Sequence, residues 1–158
     1  MKTRSQTTAA SLPASPSGAL RKPCGLARRL AAMLYDTIAV LALLILATAL
    51  AMLAGFRDVT ALRDPLFTAY LALVWFGYLG GCWRLGGMTV GMRAWRLVIE
   101  TDDGGRPGWG ACLLRFLVAL LSAAALGLGF AWALLRRDHR TWHDLASGTR
   151  LWLRSQAD

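Results

Sequence analysis

The sequence predicts an all-α integral membrane protein with three hydrophobic helical segments, the third either crossing the bilayer or re-entrant, and a small cytosolic β element. Three observations carry this. The 158 residues are 56% hydrophobic and only 17% charged, against about 45–50% and about 25% in soluble domains. Three apolar runs, at 30–56, 65–83 and 112–135, are each close to or longer than the ~20 residues that cross a bilayer. The cations stand at the ends of those runs, with Arg28 and Arg29 before the first, Arg84 after the second, and Arg136 and Arg137 after the third. A net charge of +9 would also suit a nucleic-acid partner, but cations that flank apolar runs match anionic lipid headgroups instead. The expected partner is therefore a bilayer with anionic lipids, and no nucleic acid.

In chain order, residues 1–26 are rich in Ser, Thr, Ala and Pro without an apolar period, and are expected to form a disordered basic arm. Residues 27–154 form the membrane domain and 155–158 a tail. The first run, from Leu30 to Phe56, contains one charge, Asp36. A cleaved signal peptide is the rival reading. The arm before the run is too long for one, the run exceeds a signal's apolar core, and an aspartate is out of place there. Asp64-Pro65 opens the second run, since proline suits the first turn of a helix. Trp83 beside Arg84 is expected to anchor at the membrane interface, and Gly77 and Gly81 have a GxxxG spacing that permits close helix approach. In residues 84–111, "AWRLVIET" is strand-like and "DDGG" is a turn signal. "TRLWL" at 149–153 is a second candidate strand, and the two are expected to pair. Gly127 and Gly129 interrupt the third run.

Lys and Arg counts conflict with three plain spans. The arm carries six, the first loop two, the second loop four and the tail five. An inside arm and second loop obey the positive-inside rule, which places the N-terminus in the cytoplasm. A third full crossing then strands the tail on the wrong side. A re-entrant third segment, broken around Gly127–Gly129, returns it, provided the broken backbone is buried in protein or faces water.

Charges within apolar runs are costly and need partners. Arg29 and Asp36 project from nearly the same helix face two turns apart, and both side chains lean towards the helix N-terminus, so neither serves the other. The expected polar cluster is Arg29, Asp36, Arg115 and Asp144, with Arg115 as partner of Asp36 and Arg29 meeting Asp144 or a carbonyl of the tail. His139 and His143 are spaced i, i+4, but no third ligand is evident, so no metal is expected. No cofactor or catalytic motif occurs, and the three cysteines have no paired spacing. The chain is not expected to be an enzyme.

Three stretches, "RRLAAMLYD" (28–36), "GGMTVGMRAWRLVIETDDGG" (86–105) and "TWHDLASGTRLWL" (141–153), occur in an order and spacing that resemble the RDD family of bacterial membrane proteins, named for one arginine and two aspartates. On this resemblance Arg29 and Asp36 match the first Arg and Asp, and Asp144 best matches the second Asp. The chain departs where many relatives carry Lys, since Met92 stands there with Arg93 next. The resemblance implies transport of an unidentified ligand, with sodium–proton antiport linked to some members. The leading expectation is thus a small inner-membrane transporter or ion-exchange component acting on an unknown ion or small solute. Asp36 would exchange a proton or cation while Arg115 tunes it, and a homo-oligomer would supply enough helices to enclose a path. The alternative is a non-transporting assembly or scaffold protein.

Overall fold

The computed structural model describes residues 24–56, 60–125, 127–129, 132 and 140–154. The predicted arm, up to residue 23, and the predicted tail, 155–158, lie outside these, as does His139.

Helix α1 spans Leu26–Leu53. It begins four residues before the apolar run, because Leu26, Ala27 and Arg28 are good helix formers and Gly25 supplies the extended N-cap. At about 1.5 Å per residue it is about 42 Å long, more than a bilayer's hydrocarbon core. Helix α2, Pro65–Gly81, starts as expected with proline in its first turn. The Asp64 carboxylate accepts hydrogen bonds from the Leu66 and Phe67 N–H groups at 3.0 and 3.1 Å. A π-helical turn, Cys82–Gly86, extends α2 and closes on Gly87 in the left-handed region. These two helices are long and apolar enough to cross a membrane. Most of their surface is not covered by protein, with Leu34, Ile38, Leu41, Ile45 and Leu73 all exposed. Tyr70 OH donates to Ala47 O and ties the pair together.

A short helix α3, Val90–Ala94, and strand β1, Leu97–Thr101, follow. Helix α4 covers Trp109–Ala124. Its 16 residues give about 24 Å, short of a crossing. The apolar run outlasts its helix because the chain turns after Ala124. The Gly127 N–H returns to Ser122 O, with Gly127 at φ 79°, and Gly129 lies so close to Ser122 and Trp142 that no Cβ fits there. The expected interruption at these glycines is where the helix ends. Helix α5, Trp142–Ala146, and strand β2, Thr149–Leu153, complete the described chain.

Strands β1 and β2 pair antiparallel, with Leu97 opposite Leu153 and Thr101 opposite Thr149. Alternate residues point inward. Leu97, Ile99 and Leu151 join Trp83, Met92, Cys112, Phe116, Ala32 and Cys24 in one apolar core. That core sits at the end of the molecule where α1 starts, α2 finishes and α4 starts, so the sheet, α3 and α5 form a cap over three helix ends.

Two expectations are corrected here. Trp83 is not an interfacial anchor. It is buried, with the Arg115 guanidinium 5.3 Å from its ring centroid, a cation–π pair that keeps the ring inside. Gly77 and Gly81 face nothing within 4 Å, so the GxxxG spacing makes no helix contact among the described residues. The close approach occurs at Gly91 instead.

Candidate functional site: two carboxylates under the cap

Arg29, Ala32, Asp36 and Val40 lie on one stripe of α1 that faces protein rather than the apolar surround. Two polar clusters hang from this stripe. In the first, half-buried Asp36 meets the beginning of α3. Its Oδ2 accepts from Thr89 Oγ1 at 2.5 Å and its Oδ1 from Gly91 N at 2.9 Å. Thr89 Oγ1 in turn accepts from Met92 N at 3.2 Å as the N-cap of α3. The carboxylate thus takes N–H and O–H donors that a helix start leaves unsatisfied, and its charge suits the positive end of the short helix. This contact requires glycine at 91, where a Cβ would penetrate the Ala32 carbonyl oxygen and come 2.9 Å from Asp36 Cγ.

The second cluster is built around Asp144, on the first turn of α5. Arg29 Nη1 donates to Asp144 Oδ2, and Arg115 Nη1 donates to Oδ1 at 2.5 Å. The Thr141 N–H adds a third bond at 3.2 Å, completing a capping box in which the N3 carboxylate reaches back to the N-cap. Arg115 also donates to Thr149 Oγ1 (2.7 Å) and Arg29 to Thr141 Oγ1 (3.2 Å). His143 Nε2 lies 2.9 Å from Thr141 Oγ1, and Ser147 Oγ and Thr149 Oγ1 are hydrogen-bonded at 2.7 Å. All these side chains are buried. One aspartate therefore fastens α1, α4 and the C-terminal segment together.

The structure brings Arg29, Arg115 and Asp144 into one cluster and leaves Asp36 in the other. The expected Asp36–Arg115 pair is not formed. Arg115 sits beneath the sheet, where Asp144 and Thr149 meet its guanidinium, while the donors nearest Asp36 are uncharged. Thr89 and Gly91, which hold Asp36, were not singled out from sequence, although Thr89-Val90-Gly91 carries the hydroxyl of an N-cap and a residue without a Cβ. His143 joins the cluster through Thr141, and among the described residues no group of three His, Cys, Asp or Glu side chains is arranged to hold a metal ion.

The profile of the RDD family matches residues 23–148, most of the chain. The chain belongs to the RDD family. No curated protein and no solved structure matches it. The matched region contains both clusters apart from Thr149, with Arg29 and Asp144 joined to one another and Asp36 bound at the start of α3.

Burial and the neighbouring Arg115 guanidinium push the His143 imidazole down to about 3 from 6.5. Burial alone would raise the Asp144 carboxyl, but Arg115 and Arg29 more than offset it and hold the group well below the usual carboxylate range. Between pH 6.5 and about 3 the unfolded chain binds a proton at His143 that the folded chain refuses. Stability therefore falls as pH drops through that window, by at most about 1.4 kcal/mol per pH unit. Below about 3.8 the unfolded Asp144 carboxyl also takes up a proton, which acts in the same direction. Thermal melts of detergent-purified protein should show a falling Tm from pH 7 to pH 4.5, and His143→Gln should flatten that fall.

Proposed function

We propose that the protein is a multi-pass component of the bacterial inner membrane with a cytoplasmic N-terminus, and that it acts as a non-enzymatic assembly or scaffold protein whose polar residues fasten a cytosolic cap onto its membrane helices. One observation carries this reading: both oxygens of each carboxylate, Asp36 and Asp144, are engaged by donors of the same chain. A carboxylate held through both oxygens by its own chain acts as a fastener, and an ion that took over those bonds would unfasten the cap. The side of the cap follows from charge. The cap joins the second loop to the C-terminal segment, and α1 begins there, so the cation-rich segments share one side as the positive-inside rule requires. A re-entrant α4 segment, too short to cross, accounts for that return.

The second reading is a small transporter or ion-exchange component. Its support is that Asp36 is only half-buried and that no basic side chain pairs with it among the described residues. A solute path would then need helices from further copies of the chain. Proteoliposomes separate the two readings. The scaffold reading expects no Na⁺, K⁺ or H⁺ flux from wild-type protein, and expects Asp36→Asn to lower only abundance or complex formation in the membrane. Wild-type flux that Asp36→Asn abolishes would replace it with the transporter.

A further inference from the structure

Three exposed guanidiniums gather around the π-helical turn that ends α2. Arg84 lies on the turn itself. Arg106, arriving from the loop after β1, donates through Nη1 to the Leu85 carbonyl. Arg93, on α3, places Nη2 3.9 Å from the position a Cβ would take on Gly86. The carbonyls at a helix C-terminus attract cations, which explains why two side chains from separate segments converge there. Among the described residues none of the three pairs with an acid. Their surroundings are apolar and exposed, with Leu85 and Val90 alongside and Trp109 resting on Phe76 of α2 at 6.3 Å between rings. Cations from three segments beside exposed aliphatic groups and a tryptophan, at the end of a helix that crosses the bilayer, lie where phosphates and acyl chains meet.

We propose that Arg84, Arg93 and Arg106 form a binding surface for the phosphodiester headgroups of anionic phospholipids in the cytoplasmic leaflet. Three guanidiniums on three separate segments match a phosphate's oxygens from several directions, so bound lipid would brace the turn, α3 and the loop before α4 against one another. The inference rests on the bilayer reading above.

The test uses the full chain reconstituted in nanodiscs of equimolar phosphatidylglycerol and phosphatidylcholine, re-extracted gently, with retained lipid measured by native mass spectrometry. Each guanidinium at an anionic surface is worth roughly a fivefold preference, so wild-type protein should retain phosphatidylglycerol at least that strongly. The preference should vanish in Arg84→Gln/Arg93→Gln/Arg106→Gln, persist in the corresponding Lys variant, and persist in Arg63→Gln, which alters an exposed cation at the far end. Single Gln variants should each remove part of it, which keeps the test open if the triple variant misfolds. No preference in wild type, or one the Gln variants leave intact, overturns the proposal. Displacement of the retained lipid by millimolar inorganic phosphate also overturns it, because the surface would then take a soluble ion. A wild-type chain absent from the membrane fraction would sink the bilayer reading as well, whereas an integral chain with no lipid preference sinks only this one.

Discussion

Gly91→Ala is expected to detach α3 from α1 and leave little folded protein. The added methyl group would overlap the Ala32 carbonyl oxygen and press on the Asp36 carboxyl carbon. The nearer obstacle is helix backbone, which cannot yield by rotating a side chain. Overpacking of this kind costs about 1–3 kcal/mol or more. Moving α3 away also removes the two hydrogen bonds that satisfy Asp36, each worth about 1.5–3 kcal/mol for a charged acceptor. The sum, about 4 kcal/mol or more, is a large part of the 5–15 kcal/mol that a domain has in total. Fluorescence-detected size exclusion after heating measures it. Gly77→Ala and Gly81→Ala are the controls. Both positions are open, and alanine is the better helix former by about 1 kcal/mol, so neither should lower Tm. A Gly91→Ala protein as stable as these controls would mean that α3 does not rest on α1.

Asp144→Asn should be nearly as damaging for a different reason. The side chain keeps its size but loses the negative charge that joins Arg29 and Arg115, both about 96–97% buried. Removing one partner of a buried ionic group costs about 3–5 kcal/mol. Two guanidiniums then face each other without a counter-charge, so the loss should be partly reversed by taking one away. In the Asp144→Asn background, Arg115→Met should cost less than it does alone, and a double-mutant cycle should give a coupling of about 1–3 kcal/mol. Additive effects would show that the two side chains act independently, and would remove the cluster as the fastening point of the C-terminal segment.

Much of the architecture was legible. The apolar runs located α1 and α2, Asp64-Pro65 located the start of α2, and Gly127–Gly129 located the turn after α4. The strand-like stretches "AWRLVIET" and "TRLWL" pair because each alternates inward residues with outward ones, which is the pattern a two-stranded sheet over a core requires. The meeting of Arg29 with Asp144 was legible only as one of two partners the sequence offered, the other being a carbonyl of the tail. Asp36 was misjudged. A search for its counter-charge pointed to Arg115, yet the carboxylate is held by a threonine hydroxyl and a backbone N–H. Backbone donors are present at nearly every residue and leave no mark on composition, so their use at Gly91 is visible only once α3 is known to start there. Trp83 was misplaced because a tryptophan beside an arginine reads as a membrane border. Here the flanking Arg84 points outward, while the cation that matters to the ring is Arg115, distant in sequence.

The ionic bond between Arg29 and Asp144 joins residues 115 positions apart. At about 5–20 residues per second, a ribosome makes the aspartate roughly 6–23 s after the arginine. Throughout that interval α1 holds a guanidinium whose counter-ion does not yet exist. The fold is therefore locked from a segment made long after α1, which is secured only when Asp144 arrives.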